Sequence, residues 1–269
     1  MSPYAIRTWH YLRLAMFALV LGLLAAVLYE HARTGCWQNS ISAYWYTPAR
    51  SYLVAMLAGM GVCMICLRGS GTAENVLLNF AGMFAPVIAL VPTTVEKEPA
   101  CTQLVSAAGE RSGDIANNAT ALFAVAGVVL IIALLIWRKE RPSKAELLSS
   151  LGALAIALAG LAVFVFARST FEDGAHLTAA GSMFGCIIAV AWVNGTQSEP
   201  HSKFLNYRNA YLAIAIAMSL AVLGTLLAAL IGGWSHLTIW IEVVLIALFA
   251  VFWALQTIEL WDRGLRDLS

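Results

Sequence analysis

Eight apolar stretches of about 17 to 25 residues make up nearly all of this chain of 269 residues, and each could cross a bilayer of about 30 Å as a helix. Hydrophobic residues account for 61% of the chain and charged residues for 12%, proportions typical of integral membrane proteins. The sequence therefore predicts an all-α integral membrane protein, a bundle of eight transmembrane helices in a single domain over residues 1–269. The predicted spans are residues 11–30, 50–67, 74–91, 119–137, 146–167, 176–193, 210–231 and 237–260.

The lysines and arginines are distributed very unevenly between the two sides of these spans. With the N-terminus inside, 11 of the 16 basic residues face the cytoplasm, and the other five, Arg33, Arg50, Lys97, Arg111 and Arg168, lie outside. The positive-inside rule then predicts that the N-terminus and the C-terminus are both cytoplasmic, in a multipass protein of the cell membrane. The basic residues are spread over several loops and the net charge is only +1, so we expect membrane lipids as partners and no nucleic acid.

Two cysteines fall in the predicted outer loops. Cys36 follows the first span and Cys101 follows the third, on the same side of the membrane. They are candidates for a disulfide that would join the two longest outer loops. The alternative is a pair of free thiols in a reducing compartment or at positions too far apart to be joined.

Small residues suggest which helix faces pack together. The second span has Ala55, Gly59 and Cys63 at four-residue spacing, and the sixth has Gly181, Gly185 and Ala189. Such spacing allows helices to approach closely in lipid, so both faces are expected to be buried.

The first outer loop is short, aromatic and rich in hydrogen-bonding groups. One interpretation is an aromatic belt at the membrane interface, where Trp and Tyr are common without any ligand. The other is a polar pocket open to the outer leaflet, in which the loop residues meet His176. The candidate ligand-binding residues are Asn39, Ser40, Ser42, Tyr44, Arg50, Asp173, His176 and Glu242, the last about two turns into the eighth span.

Asp173 and His176 are candidate catalytic residues. They are three positions apart, so in a helix they share a face and the carboxylate could orient the imidazole. Alternatively, Asp173 caps a helix whose first turn contains His176. At the cytoplasmic start of the third span, Glu74 is interpreted as a partner of the helix dipole.

Three histidines, His31, His176 and His236, are weak candidates for a metal site on the outer side. No two of them are spaced on one helix as in an H-x-x-x-H pair, so no metal and no cofactor is predicted.

Two short patterns resemble those of a known family. One is Ser40-Ile41-Ser42, followed by an aromatic residue and Thr47-Pro48; the other is His176 followed by Ala179-Ala180 and Phe184. They are similar to the P-x-I-S loop and the H-x-x-x-A helix of the DRAM/Frag/Sfk-like multipass membrane proteins and their uncharacterised bacterial relatives. This chain has Asn39 where proline is usual and eight spans where many members have about six. The resemblance implies a role in lipid organisation without an established active site.

Three classes of function are compatible with these features. The first is a lipid-associated or accessory membrane protein with an outer polar pocket, which could form a homo-oligomer or bind a membrane-protein partner. The second is a small-molecule or lipid transporter, although charge is scarce in the middle of the membrane. The third is an intramembrane lipid hydrolase or transferase that uses His176 as base or metal ligand, with Ser40 or Ser42 as nucleophile or substrate contact.

Overall fold

A computed structural model describes residues 3–94, 101, 111–137, 143–198, 206–231, 237–262 and 264–266. These residues form eight α-helices and one 3-10 helix, Ser42–Tyr46, with no strand in the described ranges. The α-helices are α1 (Pro3–Thr34), α2 (Arg50–Cys66), α3 (Thr72–Leu90), α4 (Arg111–Trp137), α5 (Lys144–Phe166), α6 (Arg168–Gln197), α7 (Tyr207–Ile231) and α8 (Leu237–Glu259).

All of these α-helices except α2 are long and apolar enough to cross a membrane, seven within the described residues. The prediction of an all-helical, multipass membrane protein is thus confirmed at this level. Helix α2 is shorter, with 17 residues. Helix α1 has 32 residues, which gives a length of about 48 Å and lets both ends extend beyond a hydrocarbon core of about 30 Å.

The start of α6 differs from the prediction. The helix begins at Arg168, eight residues before the predicted span. Its first turns are polar, and Arg168 Nε donates to the Glu172 carboxylate one turn later at 2.7 Å. An ion pair between residues one turn apart stabilises a helix. Because these first turns are polar, the apolar pattern that predicts the spans does not detect them. Asp173 therefore lies within the helix and is not its N-cap, and His176 lies more than two turns from its start.

Six helices pack side by side in a closed ring. Helix α1 contacts α2, α2 contacts α3, α3 contacts α6, α6 contacts α7, α7 contacts α8, and α8 returns to α1. The α4–α5 hairpin packs on the outside, against α3 and α6. Most large apolar side chains of α4 are exposed, among them Val125, Val129, Ile132 and Leu135, which suits a helix surrounded by lipid.

The close approach between helices is at a different pair of glycines from the predicted ones. A Cβ on Gly82 of α3 would lie 2.6 Å from the carbonyl oxygen of Gly61 on α2. Gly181 and Gly185 of α6 are exposed, with no atom within 4 Å of where a Cβ would lie. The prediction that this face of α6 is buried was wrong, because α6 packs through the opposite face, which includes His176, Met183, Ile187 and Val190.

The chain reversals place two sets of polar groups at opposite ends of the ring. The first end, termed the disulfide face, contains the end of α1, the 3-10 helix, the start of α2 and the starts of α4, α6 and α8. The second end, termed the termini face, contains the start of α1, the 67–71 turn and the end of α8. Buried apolar side chains, including Met16, Met64, Met218 and Phe252, fill the bundle between the two ends.

Candidate functional site

The loop between α1 and α2 folds into the end of the bundle instead of lying along its surface. Tyr44, Trp45 and Tyr46 of the 3-10 helix are all buried. The Trp45 indole N–H donates to the Ala89 carbonyl at 3.1 Å, and the Tyr46 hydroxyl donates to the Thr93 carbonyl at 2.6 Å. Burial raises the pKa of the Tyr46 phenol, which keeps it protonated as a donor. These aromatic residues thus fix the loop onto the end of α3.

The polar centre of the disulfide face is the pair of Ser42 and His176. The His176 Nε2 atom lies 2.9 Å from Ser42 Oγ, and its Nδ1 atom lies 2.7 Å from the carbonyl oxygen of Val91. His176 is only 9% exposed, whereas Ser42 is half-buried. The loop, α6 and the end of α3 thus meet at one imidazole. This is the contact between the first outer loop and His176 that the pocket interpretation requires.

Glu242 holds the same loop from α8. One of its carboxylate oxygens accepts a hydrogen bond from the backbone N–H of Ile41 at 2.5 Å, and the Ser42 amide also interacts with this carboxylate. Two adjacent backbone amides of the loop thus share one side-chain carboxyl group. Glu242 therefore fixes the turn that presents Ser42.

The other predicted residues of the loop have separate positions. Ser40 Oγ accepts a hydrogen bond from the Ala43 N–H at 3.0 Å, a local turn contact. Asn39 and Tyr44 are both buried. Arg50, at the start of α2, donates to Asp114 of α4 at 3.1 Å, and its guanidinium lies 3.4 Å from the centroid of the Trp45 ring. Ser42 is thus the loop serine that contacts His176.

Asp173 does not orient His176. Its carboxylate is 70% exposed and lies 3.8 Å from Nη1 of Arg111, whereas both imidazole nitrogens face Val91 and Ser42. Arg111 also donates to the backbone carbonyls of Glu172 and Pro92. A backbone carbonyl, not a carboxylate, is therefore the partner of the His176 Nδ1 atom.

The predicted disulfide and the metal candidate His31 also lie at this end. Cys36 and Cys101 are joined by a disulfide, with their Cα atoms 6.1 Å apart. The His31 ring stacks on Trp37 with centroids 3.9 Å apart. His236 lies outside the described residues. In the ranges that the structure describes, no group of three His, Cys, Asp or Glu side chains could hold a metal ion.

Sequence reasoning missed a buried polar cluster at the termini face, centred on Glu74 of α3. Glu74 is 1% exposed, and its Oε1 atom accepts from the side-chain amides of Asn194 at 3.1 Å and Gln256 at 2.5 Å. Its Oε2 atom accepts from the Ser70 N–H at 2.7 Å. The interpretation of Glu74 as a dipole partner was therefore incomplete, because its carboxylate also connects α3 to α6 and α8.

Arg13 of α1 extends this cluster. Its Nη2 atom donates to the Gln256 side-chain oxygen at 2.6 Å. The guanidinium lies between two indoles, 3.8 Å from the Trp9 centroid and 4.8 Å from the Trp253 centroid. Stacking of this kind suits arginine, whose planar cation is more weakly hydrated than an ammonium group.

The C-terminal segment closes the same end. Arg266 donates to Glu259 and to Asn194, and the Tyr211 hydroxyl donates to Glu259 at 2.6 Å. Burial is the largest influence on the pKa of Arg266 and acts to lower it, but the hydrogen bond to Glu259 and the negative charges of Glu259 and Glu74 together outweigh burial, so the pKa is raised. Two arginines and two glutamates balance in charge here, as expected of a structural cluster. The sequence signals were Arg13, Gln256 and Glu259, polar residues within the predicted spans.

Comparisons with known proteins add no assignment. No family model matches the chain, and no curated protein or solved structure matches it either. The resemblance to DRAM/Frag/Sfk-like proteins stays a prediction from two short patterns, both of which contribute to the site: Ser42 belongs to one and His176 to the other.

Proposed function

We propose that this protein is a lipid-associated multipass membrane protein that binds a lipid headgroup at its disulfide face. In this proposal it crosses the cell membrane eight times, with both termini in the cytoplasm and the disulfide face outside. The observation that carries the proposal is the contact between Ser42 and His176 at 2.9 Å. In this proposal the hydroxyl and the imidazole lie at the depth where headgroups meet hydrocarbon.

The charges around this pair favour a zwitterionic or hydroxyl-bearing headgroup. Four arginines at this face each have a carboxylate within 4 Å: Arg33 with Glu30, Arg50 with Asp114, Arg111 with Asp173, and Arg168 with Glu172. In each pair at least one side chain is substantially exposed. That side chain can exchange its partner for a charged group of a ligand. In a headgroup with both a phosphate and an ammonium group, the phosphate could pair with these arginines and the ammonium group with these carboxylates.

The core between the two polar ends favours binding over transport. On the buried face of α6, the residues between His176 and Asn194 are Ala179, Met183, Ile187, Val190 and Ala191. A transport path needs polar groups or water along its length. Within the described residues, this face of α6 has none between the two ends.

Native mass spectrometry of the full chain in mild detergent tests this proposal. We expect a phospholipid adduct that survives a chelator. Arg50→Gln should lower the fraction of protein with lipid bound, because it removes a half-exposed cation from the disulfide face. The control is Arg208→Gln, the same change at an exposed position near the termini face.

Two results would contradict the proposal. One is a wild-type protein that retains no lipid. The other is equal lipid retention in Arg50→Gln, Arg208→Gln and the wild type, because lipid would then be bound without the disulfide face. A zinc adduct that the chelator removes would point to the metal hydrolase class instead.

A further inference from the structure

The contact between Ser42 and His176 has the geometry of an activated nucleophile, and we infer that Ser42 attacks the acyl ester of a membrane lipid with His176 as general base. This inference rests on the proposed lipid binding and adds a reaction to it. Of the two serines in the loop, Ser42 is the one in contact with an imidazole. Ser40 Oγ instead accepts a backbone hydrogen bond within the turn.

The hydrogen bonds of His176 define where its proton lies. A carbonyl oxygen can only accept, so the Val91 carbonyl at 2.7 Å requires the proton of the neutral imidazole to be on Nδ1. The Nε2 atom then has a free lone pair, and the Ser42 hydroxyl donates to it at 2.9 Å. A serine hydroxyl that donates to an oriented imidazole is the arrangement used in nucleophilic catalysis. The Val91 carbonyl orients the imidazole, which is the role of the third residue in a catalytic triad.

The depth of the pair suits a lipid ester. Helix α6 has 30 residues, or about 45 Å, which exceeds a hydrocarbon core of about 30 Å by roughly 7 Å at each end if the helix is centred. His176 is eight residues after Arg168, about 12 Å along the helix. It therefore lies near the boundary between headgroups and hydrocarbon, where the ester carbonyls of phospholipids are found.

The reaction balances without a redox partner or a metal. In the first half, Ser42 Oγ bonds to the ester carbonyl carbon, its proton moves to His176 Nε2, and the ester C–O bond breaks. The departing alkoxide takes that proton from Nε2 and leaves as the lysolipid alcohol. In the second half, water or the hydroxyl of an acceptor lipid attacks the acyl-Ser42 ester. Its proton passes through Nε2 to Ser42 Oγ, and the product is a fatty acid or a new lipid ester.

A fluorophosphonate probe tests the nucleophile directly, because it reacts with activated serines. We expect one probe adduct on the intact wild-type protein, mapped by peptide mass spectrometry to Ser42. Ser42→Ala should show no adduct, and Ser51→Ala, at an exposed position on α2, should be labelled at the wild-type rate. His176→Gln should lower the labelling rate by about 10²–10⁴-fold, the range for loss of a general base. We also expect the wild-type labelling rate to rise with pH as an imidazole base loses its proton, and His176→Gln should remove this rise.

A second assay tests the substrate. Vesicles of phosphatidylcholine with a labelled acyl chain, mixed with the full chain, should release labelled fatty acid or yield a labelled acyl-protein on peptides that contain Ser42. If the wild type shows neither probe adduct nor acyl-protein while native mass spectra still show bound lipid, the inference is wrong and the proposed binding function stands. If the native mass spectra also show no bound lipid, the inference and the proposed binding function are both wrong. A probe adduct without acyl transfer from vesicles would overturn the lipid ester as substrate.

The test of Ser42 as nucleophile does not depend on whether the variants fold. The position of the adduct on the wild-type chain already separates Ser42 from every other serine. An adduct mapped to Ser40 or to another position would overturn the inference.

Discussion

The side-chain amide of Gln256 on α8 donates to the Glu74 carboxylate on α3 at 2.5 Å, across 182 residues of sequence. The same carboxylate accepts from Asn194 and from the Ser70 N–H. Glu74→Ala would leave two buried side-chain N–H groups and the half-buried Ser70 N–H without this acceptor. Since each unsatisfied buried group costs about 1–3 kcal/mol, we expect a large loss of stability, measured as a lower thermal unfolding midpoint in detergent.

A nearby exposed position provides the control for Glu74. Thr72→Ala changes an exposed residue on the same first turn of α3 and should leave the midpoint close to that of the wild type. Equal midpoints for Glu74→Ala and Thr72→Ala would show that the buried cluster does not stabilise the bundle.

Gly82→Ala tests the packing of α2 against α3. The added Cβ would lie 2.6 Å from the Gly61 carbonyl oxygen and 2.6 Å from Ile65 Cγ1, so the two backbones must move apart. We expect a loss of about 1–3 kcal/mol, the usual cost of overpacking, again measured by thermal unfolding. Gly185→Ala is the matched control on α6, because its Cβ would meet nothing within 4 Å. It should be neutral or stabilise slightly, since alanine favours helix more than glycine by about 1 kcal/mol. If Gly185→Ala were the more damaging change, this description of helix packing would be wrong.

The all-helical, multipass architecture follows from the sequence because a long apolar run has few alternatives to a membrane helix. The partners of each helix face do not follow from it. Gly181 and Gly185 have the spacing of a packed face and are exposed, while Gly61 and Gly82 make the close contact. Spacing within one helix carries no information about which other helix lies beside it.

The candidate site could be predicted only in part for the same reason. Ser42 and His176 were both selected by residue type and by position on one side of the membrane, and the structure places them 2.9 Å apart. The sequence offered Asp173 as one candidate partner of His176, because it is near in the chain, with a helix cap as the alternative. The actual partner is the Val91 carbonyl. Every residue has a backbone carbonyl, so residue type alone could not identify this one as the partner.

Loss of the disulfide should destabilise the disulfide face. Cys36 and Cys101 are separated by 65 residues, and removal of a native disulfide typically costs about 2–5 kcal/mol. We expect the double variant Cys36→Ala/Cys101→Ala to unfold at a lower temperature than the wild type. Cys186→Ala, a free cysteine on α6, is the control and should change the midpoint much less. A midpoint of the double variant equal to that of Cys186→Ala would contradict the prediction.

The proposed orientation predicts which thiols a membrane-impermeant maleimide reaches in intact cells. Cys36 and Cys101 lie at the disulfide face, whereas exposed Arg208 lies at the start of α7, near the termini face. If both termini are cytoplasmic, the maleimide should label Cys36 and Cys101 only after an impermeant reductant has opened the disulfide. In Arg208→Cys, the new thiol should react only after the cells are permeabilised. Labelling of Arg208→Cys in intact cells would reverse the orientation. It would also place the Ser42–His176 pair at the cytoplasmic leaflet, so this measurement decides which leaflet supplies the lipid.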